Sequence, residues 1–265
     1  MVEVKALSAT AWGMAPVHNI HFKLQNGQIY GILGDEHSGG STLLSLLSGS
    51  IPPLSGEVLL GGFDTVRDPL QARRLVGYFP ASHHPAPDLT PVEYLMLAAE
   101  MRGMEYNRAL RRTEELLDWT ALTDKRSTLI RRLSAPEVRL LGLAQTLFGD
   151  PEFILLEEIT RDLPVKEAQG IREWICELRS DHTIFLCSQN ETELRTLCDR
   201  ILLLHSGELV GIFDRNEELP SLPTREPTVS PAHAAPPKKP SRWSLLTQNS
   251  TECEVIDFDE KEDRR

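Results

Sequence analysis

The sequence predicts an α/β fold in which a phosphate-binding loop joins a strand to a helix. Residues Gly34-Asp35-Glu36-His37-Ser38-Gly39-Gly40-Ser41-Thr42 follow the template G-x-x-x-x-G-K-[ST] at every fixed position but one. A strand-like run, Gln28-Ile29-Tyr30-Gly31-Ile32-Leu33, enters this loop, and a helix-like run, Thr42-Leu43-Leu44-Ser45-Leu46-Leu47, leaves it. Further along, short apolar runs alternate with stretches of helical spacing, the order that builds a parallel sheet covered by helices. The 265 residues give room for one such domain, a helical insert and a tail.

The elements follow in order. Strand-like runs lie around Val2–Leu7, Ile29–Leu33, Val58–Leu60, Val76–Phe79, Phe153–Leu156, Thr183–Leu186, Ile201–Leu204 and Glu208–Phe213. Between the fourth and fifth runs, Pro91 to Met101 and Arg108 to Trp119 space their apolar residues for helices, with charges between. After about Asp214 the composition shifts. Pro223, Pro227, Pro231, Pro236 and Pro237 punctuate a stretch that reads as a disordered linker. Trp243-Ser244-Leu245-Leu246 and an acidic end, Glu252 to Asp263, follow. That end reads either as a solvated tail or as a short motif that folds onto a partner. The expected division is a folded domain over 1–213, with a helical subdomain over about 86–146, and a tail over 214–265.

The template position that fails is the lysine: Gly40 stands there. A phosphate-binding loop holds its ligand through inward-pointing backbone N–H groups and a helix N-terminus, and the lysine adds a full charge. Gly40 leaves the first two and removes the third. A charge-assisted contact contributes roughly 1.5–3 kcal/mol, so its loss weakens binding about 10- to 100-fold. Asp35 and Glu36 add two carboxylates beside a site meant for a polyanion. Ser41 keeps the hydroxyl that coordinates Mg²⁺. On the loop alone, Gly34, Gly39 and Gly40 are equally compatible with a tight strand-to-helix turn that binds nothing.

Later segments settle the fold. Leu75-Val76-Gly77-Tyr78-Phe79-Pro80, Pro87-Asp88-Leu89-Thr90-Pro91-Val92-Glu93-Tyr94-Leu95, Arg132-Leu133-Ser134, Leu140 to Leu147, Asp150-Pro151-Glu152, Phe153-Ile154-Leu155-Leu156-Glu157-Glu158, Leu197 to Leu204 and Ser206-Gly207-Glu208-Leu209 occur in this order. In order and spacing the set resembles the nucleotide-binding domain of ABC transporters, from about Val2 to Phe213. The resemblance implies a nucleotide-triphosphatase fold of the P-loop type with an α-helical subdomain. It also implies ATP and Mg²⁺ as ligands. A second ATP-binding subunit would pair head to tail with this one, and a transmembrane permease subunit would sit above both.

The functional positions implied by the resemblance are largely substituted. Ala81 stands for the glutamine of the Q-loop. Ala135, Pro136 and Glu137 replace the two glycines and the glutamine of the signature, of which Ser134 survives. Glu157 replaces the Walker B aspartate, while Glu158 keeps the place of the general base. Arg161-Asp162-Leu163-Pro164 replaces the D-loop, and Gln189 the switch histidine. Trp12 is a loose match to the aromatic that stacks on adenine. Pro136 removes an N–H, and Glu137 brings charge where a neutral amide stood. Gln189 carries neither proton nor charge, and a base without a positioned electrophile does little.

The candidate phosphate contacts are therefore Gly34, Ser38, Gly39, Gly40, Ser41 and Thr42, with Ser134 reaching a partner's nucleotide. Ser41 and Glu157 would hold Mg²⁺ if Mg-ATP binds, and Glu158 is a vestigial base. The expectation is a degenerate subunit acting as scaffold or regulator, with ATP bound weakly or not at all. Two alternatives stand beside it: a slow ATPase active in a heterodimer, and a soluble interaction protein whose tail is its binding arm.

A net charge of −11 argues against nucleic acid as a partner. No run approaches the ~20 apolar residues of a membrane span, and Met1-Val2-Glu3-Val4-Lys5 does not read as a secretory signal. The expected location is cytoplasmic, peripheral on the inner membrane face. Cys176, Cys187 and Cys198 fall in predicted core elements and read as buried thiols. His83-His84 reads as an exposed loop rather than a metal site.

Overall fold

The computed structural model describes residues 1–10 and 13–220. The readings of Trp12 and of the tail beyond residue 220 lie outside the described residues. The chain opens with β1 (Val2–Ala9) and β2 (Val17–Leu24). β3 (Ile29–Leu33) feeds the glycine loop and α1 (Gly40–Leu47). β4 (Ser55–Leu60), β5 (Phe63–Asp64), α2 (Pro69–Arg74) and β6 (Val76–Phe79) follow. Three helices then run without an intervening strand: α3 (Pro91–Met101), α4 (Tyr106–Trp119) and α5 (Ala135–Thr146). The remainder alternates β7 (Phe153–Glu157), α6 (Val165–Leu178), β8 (Thr183–Ser188), α7 (Glu191–Leu197), β9 (Arg200–His205) and β10 (Glu208–Asp214).

The strands form two sheets. One is antiparallel, in the order β2-β1-β4-β5. The other runs β10-β9-β3-β8-β7-β6 and is parallel except for β10. Successive side chains of a strand point to opposite faces, and the two hydrophobic clusters of the core follow that rule. From β3, Ile29 and Leu33 enter one cluster, and Tyr30 and Ile32 the other. From β7, Ile154 and Leu156 enter the first, and Phe153 and Leu155 the second. Both faces of the parallel sheet are therefore covered, which explains why its strands read as continuous apolar runs.

The helical segment is locally encoded. Thr90 caps α3, accepting from the Glu93 N–H while the Glu93 carboxylate accepts from the Thr90 N–H, and Pro91 takes the first helical position. α4 starts at Tyr106, two residues before the predicted Arg108, because the Glu105 carboxylate accepts from the N–H groups of Asn107 and Arg108. Trp119 at the end of α4 packs edge-on against Trp174 of α6, with ring centroids 4.2 Å apart.

Some expectations need correcting. β2 was not foreseen as a strand. Cys198 is buried and Cys187 half-buried as a residue, but Cys176 is exposed on α6, whose inward face is Ala168, Ile171, Ile175 and Leu178. His83 is not a solvent loop residue. Its ring lies 4.8 Å from that of Phe79 and 6.1 Å from that of Tyr94, against the Cβ-less face of Gly142.

Candidate functional site

In parallel strands the pairing register fixes which residues share an edge. Leu33 pairs with Ser188, and both Ile32 and Glu157 with Cys187. The glycine loop after β3, the Glu157-Glu158 pair after β7 and Gln189 after β8 thus converge at the carboxyl ends of adjacent strands. Ligands of open α/β sheets bind at that edge. Ser134 is elsewhere. It precedes α5, which packs on β6, α3, α4 and α6, and its N–H donates to the Glu137 carboxylate. The charge expected to intrude on the signature is thus turned back onto this chain's own helix terminus.

The loop closes on itself. Ser38 is buried, its hydroxyl and N–H both donate to the Asp35 carbonyl, and the His37 N–H donates to the Asp35 carboxylate. Gly39 adopts φ 91°, and a Cβ there would stand 2.6 Å from Val17. The first helical bond runs from the Leu43 N–H to the Gly39 carbonyl at 2.8 Å, so the N–H groups of Gly40, Ser41 and Thr42 have no partner one turn back and remain the loop's anion donors. Thr42 is buried and donates to the Ala15 carbonyl, whereas Ser41 is exposed.

Gly40 is more than an absent lysine. A Cβ at this position would lie 2.8 Å from the Cys187 Sγ, closer than real Cβ contacts come. Burial, then Glu157 and Glu158, push the Cys187 thiol far up, so it stays protonated and fills space without charge. Gly40→Lys alone should therefore bind Mg-ATP no better than the unaltered chain. Gly40→Lys with Cys187→Ala should bind about 10- to 100-fold tighter by calorimetric titration. Equal affinities for the single and double variants would show that Cys187 does not control the position.

Glu157 is buried, and one carboxylate oxygen accepts from the Tyr78 hydroxyl at 3.1 Å and from the Ala81 N–H at 3.0 Å. Burial, followed by Glu157, raises the Tyr78 phenol well above its ordinary range and keeps it a donor. A metal at Glu157 would rely on the other oxygen. Glu158 sits at φ 47°, its N–H donates to the Cys187 carbonyl, and its carboxylate accepts from the Gln189 N–H at 3.1 Å. Burial raises its carboxyl above the usual range, while Gln189 and Arg161 pull it back. The donors thus fit a phosphate group, with less positive charge than such loops carry.

A family model described as ABC transporter matches residues 17–161, more than half of the chain. The chain belongs to the ABC transporter family. Among curated relatives, this ABC chain is 29% identical over 202 residues to the linearmycin resistance ATP-binding protein LnrL of Bacillus subtilis, covering 76% of this chain and 65% of that protein. It is 27% identical to the ABC transporter ATP-binding protein NatA of the same organism, covering 73% of this chain and 80% of that one. Against the human phospholipid-transporting ATPase ABCA3 it is 29% identical over 74% of its own length and only 11% of the relative's. A solved bacterial ABC transporter cassette, MJ0796 in a dimeric structure, superposes with a TM-score of 0.72 at 22% identity, over 82% of this chain and 100% of that one. The fold is that of an ATP-binding cassette.

Sequence reasoning missed one group entirely. The Glu193 carboxylate, buried on α7, accepts from the Thr160 hydroxyl at 2.5 Å, from Arg172 Nε at 3.1 Å and from the Ser188 hydroxyl at 3.0 Å. It ties the segment after Glu158 to the residue before Gln189. The available signal was Asn190 three residues before Glu193, a capping spacing that marks a helix start. Spacing says nothing of what a helix packs on.

Proposed function

We propose that this chain is a degenerate ATP-binding subunit of an ABC transporter. In this reading residues 1–213 are the cassette, which pairs with a second ATP-binding subunit under a membrane permease on the cytoplasmic face. Hydrolysis is absent or severely weakened, and the role is scaffold or regulator. The observation that carries the reading is the pairing of Gly40 with Cys187, which puts an uncharged thiol against the position of the phosphate lysine. A permease-docking role is supported by a groove of about 530 Å³ between α3 and α4, lined by Met96, Leu97, Met104, Tyr106 and Ala109 and flanked by Glu93 and Glu100. Leu97 and Tyr106 are exposed there. No helix among the described residues is long and apolar enough to cross a membrane, so a permease would be a separate chain or segment.

Glu158 favours a second reading, a slow ATPase working in a heterodimer, because it keeps the base position and a raised pKa. Turnover separates the two. The complex assembled with its partner cassette and permease should hydrolyse Mg-ATP at the same rate with Glu158→Gln in this chain. A tenfold or larger fall would establish the slow ATPase instead. Co-purification only with proteins unrelated to ABC systems, lost on deletion from about Pro220 onward, would favour the soluble interaction protein.

A further inference from the structure

We propose that Arg161 is the phosphate-binding cation of this cassette, a charge moved from loop position 40 to the segment after Glu158. The ligand is the terminal phosphate of a nucleoside polyphosphate. This deepens the reading above and takes from it only the identity of the ligand.

The loop's missing lysine leaves its anion donors uncharged, yet a guanidinium stands beside it. Arg161 Nη2 lies 3.3 Å from the Glu36 carboxylate, so a residue 125 positions away in the chain reaches the loop itself. Arg161, Glu158 and Gln189 line one cavity of about 470 Å³. Arg161 is also tied to Glu158, its N–H donating to the Glu158 carbonyl at 3.1 Å, and its charge acts on the Glu158 carboxylate.

The neighbours of Arg161 do not bind it firmly. Its side chain is 47% exposed and that of Glu36 is 64% exposed. Exposed ion pairs of this kind hold weakly. Its approach to Asp162 is longer still, at 3.9 Å. A phosphate group offers more charge than either carboxylate and matches the planar fork of a guanidinium bidentately. Glu36 then has a role: a carboxylate in a phosphate loop is unfavourable alone, but here it parks the cation at the mouth of the site until a stronger anion takes it.

The test is calorimetric titration of the full chain with Mg-ATP, in four forms. The unaltered chain should bind. Arg161→Ala should weaken binding about 10- to 100-fold, as expected for one charge-assisted phosphate contact. Glu36→Gln should bind at least as tightly as the unaltered chain. Arg161→Ala should cost as much in the Glu36→Gln background, since its partner is then the phosphate. A penalty that vanishes in that background would show that Arg161 only neutralises Glu36, and would overturn the proposal. Unchanged affinity in Arg161→Ala would overturn it too. Absence of binding by the unaltered chain at millimolar nucleotide would also overturn it, while leaving the scaffold reading intact. Failure to assemble with a permease would remove that reading and leave Arg161 untouched.

Discussion

Glu193→Ala should lower the unfolding free energy of the folded domain by about 3 kcal/mol, since removing one partner of a buried ion pair strands the other. The carboxylate is 2% exposed and Arg172 is 22% exposed, so solvent does little to replace the lost contact. The Thr160 and Ser188 hydroxyls lose their acceptor in the same step, and each stranded polar group adds to the loss. Glu193→Gln keeps the shape and part of the hydrogen bonding, so it should cost clearly less. Urea denaturation of both variants, with Arg172→Ala and the double variant completing a cycle, measures the coupling. A loss under about 1 kcal/mol for Glu193→Ala would mean that water enters and satisfies Arg172, contrary to the burial seen here. The consequence for the site is local. Thr160 and Ser188 flank Glu158 and Gln189, so releasing them frees both edges of the cavity that Arg161 lines.

What was legible in the chain was local. The glycine loop, the strand before it and the helix after it could be read because their signals lie within a few residues of one another. The capping box at Thr90 and Glu93 is equally short-range. β2 carries a signal in alternation alone: Val17, Ile20, Phe22 and Leu24 are buried while polar residues separate them. With His18, Asn19, His21 and Lys23 between them, the segment has no apolar run to catch the eye, yet half-buried antiparallel strands read that way. Cys176 shows the converse error. Trp174, Ile175 and Leu178 around it are apolar, but one step around a helix turns the thiol from the side of Ile175 to solvent. The contacts that give the site its present form join segments far apart in sequence: Glu36 with Arg161, Gly40 with Cys187, Glu157 with Tyr78 and Ala81. Spacing within a motif names the residue that is missing. It does not show what has moved into the space.

Acid should destabilise the domain through His83, and the neutral ring there links that effect to the site. Burial first, then Arg139 and His84, lower the His83 pKa from 6.5 to about 4. Between those values the unfolded chain holds more protons than the folded one, so stability is complete above pH 6.5 and falls as the pH drops toward 4. A change of that size corresponds to at most about 3 kcal/mol. Denaturation of the unaltered chain and of His83→Gln at pH 7 and pH 4.5 isolates the contribution, because every other group titrates in both. The unaltered chain should lose more stability across the interval, by a large part of that limit, and parallel profiles would remove His83 as the cause. Among the described residues no carboxylate pairs with the imidazolium: Phe79, Gly142 and the Tyr94 hydroxyl, 3.4 Å from Nε2, face the ring. Protonation therefore favours expulsion of the ring from this packing. Ala81 lies two residues upstream and donates its N–H to Glu157, so the segment that moves is the one that contacts this buried carboxylate. At low pH, His83→Gln should keep that contact where the unaltered chain loosens it.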